Sequence, residues 1–146
     1  MARIAPFFQG ADRDWTAGVA LPGGDFAVDG AEQLTADLRR AYPFLDAYWA
    51  GRLIRAYGTE AAVMLGDAQA AEDLGPDFGA TLTGREVRWM MQHEYARSAE
   101  DVVWRRTRLG LRMSAEQIAA LEAWMGSAAR DDSAVTPARD SAALRA

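Results

Sequence analysis

Cysteine is absent from this chain, and so is lysine. The first absence excludes disulfides, thiolate catalysis and cysteine-ligated metals. The second excludes Schiff-base chemistry and the lysine of a phosphate-binding loop, because all 16 basic residues are arginine. Histidine occurs once, at His93, so a metal site built on a histidine pair at i+3 or i+4 cannot form. No apolar run approaches the roughly 18 residues needed to cross a bilayer, and the opening "MARIAPFFQG" lacks the apolar block of a signal peptide. Strand-like alternation is missing after residue 30.

What is present suits one domain. The 146 residues are half apolar and a quarter charged, enough for a single sizeable core. The net charge of −5 argues against nucleic acid as a partner. Residues 60–77 hold Glu60, Asp67, Glu72, Asp73 and Asp77 with no cation among them.

The order of turn and helix signals predicts an all-α fold. Five to six helices form a single compact domain behind an extended, turn-rich N-terminal arm, with a disordered C-terminal tail. "ALPGGDF", Ala20 to Phe26, places Pro22 before Gly23 and Gly24, a turn signal in which glycine takes positive φ. From residue 31 the spacing becomes helical, with Leu34, Leu38 and Ala41 on one face. Pro43 interrupts it. A second helix is expected at about 46–57, with Leu53, Ile54 and Tyr57 inward and Gly58 as its cap. A short helix at roughly 59–66 ends at Gly66.

Three capping boxes mark the later starts: Thr83 with Glu86, Ser98 with Asp101, and Ser114 with Gln117. The first opens a helix with Val87, Met90, Met91 and Tyr95 on one side, and Gly110 is read as the stop of the second. The third leads into Ile118, Leu121, Trp124 and Met125. The expected division is an arm at 1–30, a helical domain at 31–126 and a disordered tail at 127–146, which is small, polar and without an apolar face.

"HEYARSAEDVVWRRTRLGL", His93 to Leu111, is the densest segment. On a helix from Ala99 to Leu109, Asp101 and Arg105 form an i,i+4 pair with the acid on the N-terminal side. Apolar residues fall on more than one face, so the helix is expected between neighbours, with Trp104 buried. Removing that ring is then worth about 3–5 kcal/mol. Arg105, Arg108 and Arg112 share a face and could form an anion site. The alternative is that they pair with Glu94, Glu100, Asp101 and the acidic segment. His93 beside Glu94 and Glu86 could act as a general base, but no serine or cysteine in an activating context accompanies it. Trp89, Tyr95 and Trp104 read more simply as packing than as a ligand cage.

Taken together, "LPGGDF" at 21–26, "YPFL" at 42–45, "RLIRAYGT" at 52–59 and "HEYARSAEDVVWRRTRLGL" at 93–111 resemble the C-terminal helical domain of FAD-dependent glycerol-3-phosphate dehydrogenases and α-glycerophosphate oxidases. The resemblance runs from about residue 4 to residue 126. Tyr95 stands where tryptophan is frequent, Ser98 where threonine is, Arg108 where lysine is and Asp46 where proline is usual. It implies an intact enzyme that oxidises sn-glycerol 3-phosphate to dihydroxyacetone phosphate. Hydride passes to FAD, and electrons go on to quinone at the cytoplasmic membrane face or to oxygen. The sequence has no G-x-G-x-x-G opening a strand–helix unit, so the family's flavin and substrate residues match no position here.

The resemblance therefore implies a non-catalytic packing or docking domain. No catalytic, cofactor or metal residue is assigned, and no cofactor is expected in this segment, with FAD belonging to the intact enzyme. His93, Glu94, Arg97, Asp101, Trp104, Arg105, Arg106 and Gly110 form its structural motif. Trp15, Leu21, Gly23, Gly24 and Phe26 are expected to face an N-terminal FAD-binding domain, with Trp49 or Trp89 beside them. The implied setting is cytoplasmic, with no nucleic-acid partner and no membrane segment in the chain. Two other readings stand beside this one: a free-standing helical interaction module, which Met1 alone favours, and a small enzyme using His93.

Overall fold

A computed structural model of the chain describes residues 18–135. Its helices are α1 Ala31–Ala41, α2 Ala47–Tyr57, α3 Glu60–Leu65, α4 Gly84–His93 and α5 Ala115–Val135. Between them lie 3₁₀ turns at Ala71–Leu74 and Leu109–Leu111 and a π-helix at Asp101–Arg106. The only β pairing among the described residues is one antiparallel bridge between Asp77 and Thr83. The all-α expectation holds. The chain divides into two compact units, Met1–Val63 and Met64–Ala146.

In the first unit, Leu21, Pro22, Gly23 and Gly24 form a β-turn. Gly24 N–H donates to the Leu21 carbonyl at 2.8 Å, and Gly23 has φ +72°. Proline at the second position and glycine at the third are what a type II turn requires. Helices α1 and α2 pack together, with Leu38, Ala50, Leu53, Ile54 and Tyr57 buried. Leu34 is only half-buried, and Ala41 is exposed. Asp46 caps α2, accepting the Trp49 N–H at 2.7 Å, so this position does in hydrogen bonding what a proline would do by fixing φ. Gly58, with φ +54°, ends the helix as expected.

The second unit is built on a core of Leu82, Val87, Met90, Val102, Val103, Leu109, Leu121 and Met125, with Phe78 edge-on to Trp124 at 5.4 Å. Among the described residues no buried side-chain nitrogen or oxygen lacks a hydrogen-bond partner, as a dry core demands.

The structure corrects several local expectations. Thr83 occupies the N-cap of α4, but its hydroxyl makes no capping bond, and Glu86 is buried. Tyr95 does not continue the inner face of α4. The helix has ended, Tyr95 has φ +58°, and its ring is 78% exposed. The helix after Ser98 is wound as a π-helix and stops at Arg106. Arg108, at φ +57°, makes the left-handed turn, and Gly110 lies in the 3₁₀ turn beyond. Helix α5 continues to Val135, past the expected limit of residue 126. Residues 136–146 lie outside the described residues.

Candidate functional site

The dense block from His93 to Leu111 is a clasp between helix ends. Ser98 opens it as an N-cap. Its hydroxyl accepts the Asp101 N–H at 3.2 Å, and the Asp101 carboxylate accepts the Ser98 N–H at 3.2 Å and the Arg97 N–H at 3.0 Å. This is the reciprocal capping box that "SAED" predicts. The same carboxylate is bound by the Arg105 guanidinium. The Arg97 amide, foremost, and Arg105 pull the Asp101 carboxyl down to about 2 from its ordinary 3.8, because both favour the charged form. From α5, Glu122 reaches across and accepts the Ala99 N–H at 2.6 Å.

The other half of the clasp faces back toward α4. The N–H groups of Glu94 and Ala96 both donate to the Met90 carbonyl, at 3.0 and 3.1 Å. Arg106 then donates through Nε and Nη2 to the Glu94 carbonyl, at 3.2 and 2.7 Å, and lies 3.6 Å from the Glu94 carboxylate. A carbonyl at a helix C-terminus has no helical partner, so a guanidinium satisfies both its lone pairs and the negative end of the dipole. In the π-helix, the Thr107 N–H and hydroxyl both donate to the Val102 carbonyl, at 3.0 and 2.8 Å.

Trp104 is not where the spacing predicts. Widening the helix leaves Val102 and Val103 fully buried and turns Trp104 outward, 46% exposed. The helix is one-sided, with Trp104, Arg105 and Arg106 all exposed, and does not lie enclosed between neighbours. The Trp104 ring lies on Gly110, where an added Cβ would come within 2.7 Å of it. Only glycine admits the ring at this distance.

His93 is exposed at the end of α4 and stacks on Trp89, with ring centroids 4.0 Å apart. Glu94 is engaged by Arg106, and Glu86 is buried two turns away, about 10 Å along the helix. No general-base pair is assembled around His93. Arg105 is engaged by Asp101, so the three-arginine anion site loses its first member. Among the described residues no group of three or more metal-ligating side chains converges.

Sequence reading missed a cleft of about 240 Å³ lined by Asp73, Gly75, Pro76, Arg85, Arg88 and Trp124. Arg85 there donates to the Leu65 and Asp73 carbonyls, at 2.7 and 3.3 Å, and Arg88 lies over the Trp124 ring at 5.3 Å. No sequence signal joins these positions, since they come from three separate stretches of the chain and meet only through packing.

Of the residues expected to face another domain, Trp15 lies outside the described residues. Leu21, Gly24 and Phe26 are exposed, while Gly23 is half-buried against the end of α2. Trp49 and Trp89 are half-buried.

A family comparison matches residues 15–131 to the C-terminal domain of alpha-glycerophosphate oxidase. The chain belongs to that family. Among curated relatives, it is 36% identical over 126 residues to the aerobic glycerol-3-phosphate dehydrogenase of Escherichia coli, covering 86% of this chain and 25% of the relative. It is 39% identical over 117 residues to the glycerol-3-phosphate dehydrogenase of Pseudomonas aeruginosa, covering 80% and 23%. It is 33% identical over 128 residues to the D-erythritol 1-phosphate dehydrogenase of Brucella abortus, covering 88% and 26%. The chain thus spans about a quarter of the length of the curated relatives it matches, and the quarter it matches is this C-terminal domain. Among the described residues, no helix is long and apolar enough to cross a membrane.

Proposed function

We propose that this chain serves as the C-terminal helical domain of an FAD-dependent glycerol-3-phosphate dehydrogenase at the cytoplasmic membrane face. The whole enzyme oxidises sn-glycerol 3-phosphate to dihydroxyacetone phosphate, passing hydride to FAD. This domain supplies a packing surface and no reacting group. The match over residues 15–131 carries the reading. The clasp supports the non-catalytic role, because Asp101, Arg105, Arg106 and Glu122 are all engaged in closing helix ends. His93, Glu94, Arg97, Trp104 and Gly110 belong to the same frame. A relative named for erythritol 1-phosphate has the same domain, so substrate choice within phosphorylated polyols belongs to the remaining three-quarters of the enzyme.

The test is a graft in which this chain replaces the C-terminal quarter of the E. coli dehydrogenase. The graft is expected to be yellow and to oxidise glycerol 3-phosphate in a dye-linked assay, while the chain alone is colourless and inert. A graft without flavin and without turnover, or an isolated chain that binds FAD, overturns the reading. A second reading, an interaction module without enzyme activity, draws on the exposed apolar residues of the N-terminal loop, and an inactive graft would favour it.

A further inference from the structure

Exposed apolar side chains are not spread evenly. Among the described residues nine large hydrophobic residues are exposed, and four of them, Val19, Leu21, Phe26 and Val28, fall within ten positions. Leu21 is 82% exposed and Val28 fully so. Single exposed apolar residues are ordinary, whereas four gathered in one loop make that loop the candidate interaction surface.

The loop that carries them is held rigidly from beneath. Gly23 and Gly58 both have positive φ, and neither has room for a side chain: an added Cβ on Gly23 overlaps the Tyr57 carbonyl, and one on Gly58 overlaps the Gly23 carbonyl. Thr59 N–H donates to the Gly23 carbonyl at 3.0 Å. The Phe26 ring covers Gly58, with Cε1 3.1 Å from an added Cβ. A loop fixed in this way while presenting Leu21 and Val28 to water is preorganised, so docking on it orders few additional groups. Asp25 and Asp29, both exposed, add an acidic rim.

We propose that the glycine-locked loop Val19–Val28 is the pad on which the preceding, flavin-bearing part of the polypeptide seats, through an apolar surface with a basic rim. The inference rests on the domain assignment above. Three-quarters of each relative lies outside the match, and because the matched segment is the C-terminal domain, the rest precedes it in the whole enzyme. The pad lies near the start of the matched segment, which begins at residue 15. Covalent joining raises the effective concentration of that partner far above that of any free protein.

The test uses the graft described above, with Leu21→Asp/Val28→Asp as the pad variant and Val63→Asp, an exposed apolar position on α3, as the control. The pad variant is expected to lose turnover and bound flavin at least tenfold, with the control unchanged. In the isolated chain the same double substitution should leave the melting temperature unchanged, which separates lost docking from lost folding. A pad variant that behaves like Val63→Asp overturns the pad and leaves the domain assignment standing. A dimer of the isolated chain that sediments as such and dissolves on Leu21→Asp/Val28→Asp makes the occupant a second copy and also overturns it. An unsubstituted graft without flavin overturns both readings.

Discussion

Ser98 and Asp101 exchange hydrogen bonds, each accepting the other's backbone N–H at 3.2 Å. Two side chains thereby satisfy amides at the start of the helical segment that runs into the π-helix, and the geometry needs no residue outside a four-residue window.

The consequence is a defined acid sensitivity. Asp101 has a folded pKa of about 2 against an ordinary 3.8, so its contribution is fully present above pH 3.8 and disappears as pH falls through about 2. Asp101→Asn should lower the melting temperature at pH 7 and converge with the parent chain near pH 2. A constant difference across that range would show that the carboxylate's charge is not what matters. Ser98→Ala, which keeps the charge, should cost about 1 kcal/mol in urea denaturation.

Gly23→Ala and Gly58→Ala should each destabilise the chain by about 1–3 kcal/mol, since both need positive φ and both abut a backbone carbonyl that cannot move aside. Gly126→Ala is the control, because it lies in α5 with open space around it, and it should stabilise by up to about 1 kcal/mol. Chemical denaturation of the three variants decides; equal midpoints for Gly23→Ala and Gly126→Ala would dispose of the lock.

Leu121→Ala should cost about 2–5 kcal/mol, because the side chain is wholly inside the core. Trp104→Ala should cost only about 1 kcal/mol, since the residue is already about half exposed to water. A larger loss for Trp104 than for Leu121 would contradict the placement of the ring on the outside of the π-helix.

Arg106→Lys removes the fork that holds the Glu94 carbonyl from two nitrogens. The expected loss is about 0.5–1.5 kcal/mol, with faster amide exchange confined to residues 94–97. Unchanged exchange there would mean that the guanidinium does not close α4.

Residues within a few positions of each other made much of this legible. "LPGG" specifies its turn because proline presets one dihedral and glycine permits the next. "SAED" and "SAEQ" specify helix starts because the two side chains of each box reach one another's amides, and Ser114 with Gln117 bonds as Ser98 with Asp101 does. "TGRE" has the same spacing, yet the Thr83 hydroxyl does not cap. There Glu86 is buried, and burial outweighs a local bond worth about 1 kcal/mol.

Which face of a helix turns inward was not legible around Trp104. A period of 3.6 places Val102, Val103 and Trp104 on three different sides, whereas the π turn, closed by the Thr107 bonds to Val102, brings both valines into the core and sends the indole out. The hold of Arg106 on Glu94 spans 12 residues and that of Glu122 on Ala99 spans 23. The sequence by itself determined the helical class, the turn at Gly23, two of the three capping boxes and the family, since each depends on neighbours along the chain or on residue order. Only the tertiary structure decided the π winding, the exposure of Trp104 and Tyr95, the burial of Glu86 and the partners of Arg85 and Arg106. Each of these is set by which distant surface excludes water from a side chain, and chain order does not encode that directly.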